Sequence, residues 1–206
     1  MTASRDAPGA VSAHYERAAR GYSGRRGRGP AGAVRRREQA ALLALTEAGP
    51  GRRVLDVGCG DGEVAGLLLG RGAEVVAVDL ALAMADAARR RGAFAVRADM
   101  RALPLQRGFD VVTCIGSSEF VADLPGLAAG LAGCLKPGGS LVLLFPRRNW
   151  FGATLWLYHR LHGVHIHLRS RAAVAGALAG AGFAPPDRWR RCLGAWVCRA
   201  RLPGAK

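Results

Sequence analysis

Between residues 53 and 145, five short apolar runs alternate with helix-patterned stretches, and this alternation constrains the fold more than any other feature of the chain. The runs at 53–57, 74–78, 93–97, 109–114 and 140–145 read as strands. The spacing at 62–70, 81–91 and 124–135 reads as helices. Strands taking turns with helices form a parallel sheet covered on both faces. The fifth run, Ser140 to Phe145, is apolar almost throughout, as a strand buried on both faces requires. After it, 149–161 is aromatic-rich and predicted helical, 170–181 is an Ala-rich helix closed by Gly182, and 184–191 and 195–201 form a terminal strand pair, the first delayed by Pro185 and Pro186. Ahead of the core, 1–10 reads as a tail, 14–21 as a short helix, 24–32 as a Gly/Arg/Pro loop, and 34–48 as a helix stopped by Gly49 and Pro50.

The chemistry begins where the first strand ends, in Asp56-Val57-Gly58-Cys59-Gly60-Asp61-Gly62. A glycine loop between a strand and a helix is where open α/β sheets bind nucleotides. The spacing is G-x-G-x-G, and Glu63 stands where a dinucleotide fingerprint needs its third glycine. Asp56, two residues before the first glycine, would repel a pyrophosphate and attract an ammonium or sulfonium charge. S-adenosylmethionine carries both. Asp56 could otherwise serve as a partner for the helix start. Asp79, at the end of the second strand, can accept one ribose hydroxyl per oxygen. Asp99, after the third strand, can accept from an adenine amine with Met100 against the ring. The three carboxylates stand at the ends of successive strands, in order.

These blocks, VLDVGCGDGEVA (54–65), VVAVDLALAMADAARR (75–90), ADMRALPL (98–105), FDVVTCIGSSEFVAD (109–123) and LKPGGSLVLLF (135–145), resemble the class I S-adenosylmethionine-dependent methyltransferases. The likeness is greatest to the small-molecule branch that includes the ubiquinone and menaquinone biosynthesis enzymes. It implies a Rossmann-like, doubly wound seven-stranded sheet of order 3-2-1-4-5-7-6 with strand 7 antiparallel. It further implies that Asp56, Gly58 and Gly60 hold the methionine moiety, that Asp79 holds the ribose with Leu80 beside the adenine, that Asp99 and Met100 flank the adenine, and that Ile115 and Gly116 line the cofactor. Relatives commonly read E-H-V after strand four, where this chain has Glu119-Phe120-Val121, so a general base must come from elsewhere. Glu119 reads as a solvated carboxylate at a helix start. The apolar and basic stretch after strand five is faintly similar to magnesium-protoporphyrin methyltransferases.

Five histidines supply the candidates for a base. His14 lies upstream, and His159, His162, His165 and His167 cluster downstream; His14 and His162 are the residues chosen as catalytic, and no metal is expected from this set. The acceptor site is expected between residues 14–22 and 150–167. The aromatic run of Trp150, Phe151, Trp156 and Tyr158 would cover it, or pack on the sheet, or touch a membrane surface beside Arg147, Arg148, Arg160 and Arg169.

Charge weighs on the choice of partner. The net charge is +15, with 11 basic against 4 acidic residues over 1–53, 8 against 10 over 54–146, and 11 against 1 over 147–206. Basic ends favour an acidic acceptor; the expected substrate is a small molecule, acidic or aromatic and natural-product or quinone-like, and an RNA or protein methyltransferase is the alternative, opposed by the absence of an N/D-P-P-Y/W motif after strand four. A non-catalytic binding protein of the same fold is a third reading, opposed by the intact glycine loop. Five scattered cysteines without a CxxC, no apolar signal core in the first ten residues, and no run long enough to span a bilayer lead to a cytoplasmic expectation, with peripheral membrane contact allowed. The length suits one domain, divided into a helical lid segment (1–50), a cofactor-binding core (51–146) and an acceptor-side insert with terminal strands (147–206).

Overall fold

A computed structural model describes residues 8–19, 22 and 29–204. Its elements run α1 (Pro8–Ala18), α2 (Gly29–Leu45), β1 (Arg53–Val57), α3 (Glu63–Leu69), β2 (Glu74–Asp79), α4 (Leu82–Arg90), β3 (Phe94–Arg97), β4 (Phe109–Ile115), a 3-10 turn (Ser118–Phe120), α5 (Leu124–Cys134), β5 (Leu135–Pro146), α6 (Trp150–Leu161), α7 (Arg171–Gly180), β6 (Arg188–Arg191) and β7 (Ala195–Arg201). The strands form one seven-stranded sheet of order β3-β2-β1-β4-β5-β7-β6. β7 runs antiparallel to both β5 and β6, and the remaining pairs are parallel. The expected order and the reversed last strand are both present.

Period-two alternation distributes the core to two faces. Leu141, Leu143 and Phe145 of β5 pack with α5 and α7 through Leu127, Leu131, Val174 and Leu178. Val142 and Leu144 of the same strand face α2, α3 and α4 through Leu42, Leu68, Ala85 and Ala88. Small alanines on α4 let it lie close to the sheet. Asp123, Asn149 and Ser170 start α5, α6 and α7 by accepting from the backbone N–H groups of Gly126, Gly152 and Ala173 at 2.9–3.1 Å.

Several boundaries differ from the sequence reading. α1 starts at Pro8, inside the stretch expected to be a tail, because proline suits a first helical turn. Residues 29–32 belong to α2 rather than to the expected Gly/Arg/Pro loop, whose residues 24–28 lie outside the described set. β5 starts at Leu135, not Ser140: Phe109 pairs with Leu135, the register then shifts, and Val111 pairs with Ser140. The Lys136-Pro137-Gly138-Gly139 segment is thus a bulge within a strand, with Gly138 at φ 76°.

α1 reaches the sheet through a long-range cap. α4 has Ala81 at its N-cap and gets no side-chain bond from it. Glu16 supplies the missing acceptor: its carboxylate receives the N–H of Leu82 at 2.5 Å and of Ala83 at 3.0 Å. A negative charge at a helix start also meets the positive end of its dipole. Glu16→Ala should therefore lower the unfolding free energy by about 1 kcal/mol, seen as an earlier urea midpoint, whereas Glu16→Gln, which keeps an acceptor oxygen, should recover part of the loss.

Candidate functional site

The carboxyl ends of β1, β2, β4 and β5 open into one cavity of about 330 Å³, closed by α1, α2 and α6. The loop after β1 forms its floor. Gly58 N–H and Cys59 N–H donate to Val78 O at 2.8 and 3.0 Å, which ties the loop to β2. Gly58 has φ 70°, and a Cβ there would sit 2.4 Å from Ser117, so only glycine allows β1 and β4 to approach this closely. Gly60, at φ 54°, is in the left-handed region that favours glycine, and a Cβ there would meet the Tyr22 ring at 3.9 Å.

Asp56 is 1% exposed. Thr113 Oγ1 donates to its Oδ1 at 2.7 Å, and its Oδ2 is buried with no hydrogen-bond partner. Burial raises the Asp56 carboxyl to about 6, against the Thr113 hydrogen bond and with added repulsion from Asp79. A buried carboxylate oxygen left without a donor at a cavity wall fits a cationic ligand group.

Asp79 is engaged twice. Oδ2 accepts from Gly60 N–H at 2.8 Å and Oδ1 from Ala81 N–H at 2.9 Å. Burial pushes its carboxyl upward, and these backbone bonds oppose the shift. Each oxygen keeps a further lone pair, so the residue can hold the loop and accept a ribose hydroxyl together. Asp99 is gripped by Arg101, whose Nε lies 3.0 and 3.1 Å from its two oxygens and whose backbone N–H donates at 2.9 Å. That guanidinium holds the Asp99 carboxyl below the usual range. Leu80, Met100, Ile115 and Gly116 complete this end of the cavity, so all nine residues expected at the cofactor line one space.

The other end is aromatic. Tyr15 lies edge-on to Phe120 (5.6 Å between ring centroids) and to Tyr22 (6.0 Å), and Phe120 lies edge-on to His159 (5.3 Å). Phe151 and Leu155 extend the wall along α6. The two segments expected to enclose an acceptor, 14–22 and 150–167, do meet here. The histidine on the wall is nevertheless His159, not His14 or His162. His14 sits behind it on α1, 5.8 Å from the His159 ring and 5.6 Å from that of His162. His162 is exposed, with Nδ1 2.7 Å from Tyr158 O. Burial, then His162 and Arg17, lower the pKa of His14, which keeps it neutral at pH 7. Trp150 turns away from the cavity and is 69% exposed.

Glu119 departs most from expectation. It is 4% exposed and lines the cavity instead of facing solvent. Arg169 explains the enclosure: its guanidinium donates to the Ser118, Val121 and Ala122 carbonyls and folds the turn inward. Nothing in local sequence marks this, since Arg169 lies 50 positions downstream.

The comparisons agree with this geometry. The model of the methyltransferase domain family matches residues 31–185. The chain belongs to that family and carries an S-adenosylmethionine-dependent methyltransferase domain. It is 38% identical over 120 residues to a ubiquinone biosynthesis O-methyltransferase of Hahella chejuensis, an alignment covering 54% of this chain and 48% of that protein. The chain thus spans about half the length of that relative. Among solved structures it resembles geranyl diphosphate C-methyltransferase from Streptomyces coelicolor A3(2), crystallised with Mg2+, geranyl diphosphate and S-adenosyl-L-homocysteine (TM-score 0.70, 18% identity, 81% of this chain and 79% of that one). It also resembles an S-adenosylmethionine-dependent methyltransferase from Mesorhizobium loti (TM-score 0.69, 24% identity, 79% and 96%).

Asp56 generates a paired prediction. Its raised pKa means that the unfolded chain ionises first, so the ligand-free protein loses stability as pH rises from 3.8 to about 6. A cationic ligand needs the ionised form, so affinity should climb over the upper part of the same window and level off above it. Calorimetric titration with S-adenosylmethionine at stepped pH should show this rise. Asp56→Asn should abolish the rise while raising the melting temperature of the ligand-free protein at pH 7.

Proposed function

We propose that this chain transfers the methyl group of S-adenosylmethionine to a small aromatic acceptor. The observation that carries this reading is one continuous cavity with carboxylates at strand ends on one side and Tyr15, Tyr22, Phe120, Phe151 and His159 on the other. In it, Asp56 meets the ammonium of the methionine moiety, Gly58 and Gly60 let the ligand lie against backbone, Asp79 accepts from the ribose, and Leu80, Met100 and Ile115 flank the adenine. Asp99 accepts from the adenine amine with its lone pairs not taken by Arg101. The cofactor supplies a methyl group on a sulfonium leaving group. The protein's part is alignment of the acceptor and exclusion of water, for which rings on three sides are suited.

An aromatic acceptor is favoured over an acidic one by the charges inside the cavity. The basic chain ends contribute Arg35 to its wall, and Arg35 is bound to Glu63, with Nε at 2.6 Å. The other lining guanidinium, Arg101, is bound to Asp99. Carboxylates dominate the remainder. For a phenolic acceptor, His159 and Glu119 are the wall residues placed to take the proton, with His14 behind His159 as its positioning residue.

The test is incubation of the purified chain with methyl-labelled S-adenosylmethionine and a panel of phenols, catechols, carboxylic acids and tRNA, with products read by mass spectrometry. Methylated phenols or catechols are expected; label in tRNA, or NADH binding as tight as S-adenosylhomocysteine, would overturn the reading. His159→Ala should reduce turnover by about 10²–10⁴-fold with cofactor affinity retained, while His162→Ala should leave turnover within about twofold. Asp79→Ala should weaken S-adenosylhomocysteine binding by about tenfold or more, because it removes an acceptor and frees the Gly60 loop.

A further inference from the structure

Helix α6 has two different faces. Phe151, Leu155 and His159, spaced four apart, look into the cavity. Trp150, Leu157 and Leu161 fall on one stripe of the opposite side and are 69%, 50% and 76% exposed. Leu193, in the β6–β7 connection, is a further exposed apolar residue tethered near the start of α6. Its carbonyl accepts from Arg147 Nη1 at 3.2 Å and Asn149 Nδ2 at 3.1 Å, which fastens the connection beside Trp150. Three large apolar side chains on one helical stripe, with an exposed leucine tethered near its start, are more than scattered surface residues.

The charge on the helix itself has one sign. Arg148, just before α6, and Arg160, within it, are exposed, and α6 holds no acidic residue; Glu38 lies near Cys192 in the β6–β7 connection. Asp187, the one acidic residue after position 146, is bound to Arg199 through Nε at 3.1 Å. An apolar stripe with a tryptophan and arginine borders is the pattern of a helix lying at a lipid interface. A second copy of the chain would fit poorly, because a two-fold contact would set this arginine border against itself. Among the described residues no helix is long and apolar enough to cross a membrane, so any lipid contact by these helices would be peripheral.

We propose that the outer face of α6, with Leu193, seats on an anionic lipid surface. Leucines and Trp150 would enter the headgroup boundary and the arginines would meet lipid phosphates. The wall that carries Phe151, Leu155 and His159 would then stand directly above the lipid. This contact is separate from methyl transfer and is measurable without an acceptor.

The full-length chain is mixed with vesicles of phosphatidylcholine alone or with added phosphatidylglycerol, then sedimented. Binding to the anionic vesicles should be about tenfold or more tighter, should fall as salt is raised, and should shift tryptophan emission to shorter wavelength. The Leu157→Asp/Leu161→Asp double variant should lose this binding and keep the parent's affinity for S-adenosylhomocysteine. If it loses that affinity too, Arg148→Glu/Arg160→Glu, which keeps Trp150, Leu157 and Leu161 in place, decides by the same two measurements. Equal sedimentation with both vesicle types, no sedimentation with either, or binding unchanged in the charge-reversed variant overturns the proposal. A concentration-dependent dimer dispersed by Leu157→Asp/Leu161→Asp would assign the face to a second copy instead.

Discussion

The carboxylate of Asp79 is the joint on which the cavity depends. One oxygen holds Gly60 N–H and the other holds Ala81 N–H, so a single side chain joins the β1 loop, the end of β2 and the start of α4. The next two N–H groups of α4 are taken by Glu16 of α1. The floor of the cavity and the helix that covers it are therefore linked through three consecutive backbone donors and two carboxylates. Charged acceptors make stronger bonds to N–H groups than neutral ones. The two Asp79 bonds lie in a partly buried place where water competes weakly, which lets so few contacts position so much backbone.

The inside and the outside of the molecule differ in charge. The surface is strongly basic, yet the cavity lining is rich in carboxylates, and its two guanidinium groups are bound to Glu63 and Asp99. Burial raises the Asp56 carboxyl to about 6, with a smaller push from the neighbouring Asp79 carboxylate. That cost to the ligand-free protein is the expected companion of a site built for positive charge, since a cation entering the cavity offsets the penalty of a buried carboxylate.

The strand-end carboxylates and the glycine loop were legible because each is set by its own strand and turn: β1, β2 and the following loops place Asp56, Asp79 and Asp99 in any sheet with this order. The aromatic end of the cavity was legible only as a pair of segments. Which residues on them face inward depends on the rotation of α6, and one helical step separates Trp150, in solvent, from Phe151, on the wall. The same rotation turns His159 inward and leaves His162 exposed, although both belong to one histidine cluster. Gly194 shows what holds the rotation: a Cβ there would lie 2.2 Å from the Phe151 ring, so the absence of a side chain lets the ring seat.

By itself, then, the sequence determined the layered α/β class and the glycine loop and carboxylates at the strand ends, while the strand order and the reversed last strand were implied by family resemblance. The first of these follow from periodicity and from residue types at strand ends, all of which are local. Tertiary structure alone decided that Glu119 is buried, because Arg169 from 50 positions away folds its turn inward. It decided that Asp79 holds the backbone as well as facing the ligand space. It also decided that a chain of net charge +15 holds a cavity whose lining is rich in carboxylates. Such facts depend on which distant side chains meet, and pairing across long separations leaves no periodic trace in the chain.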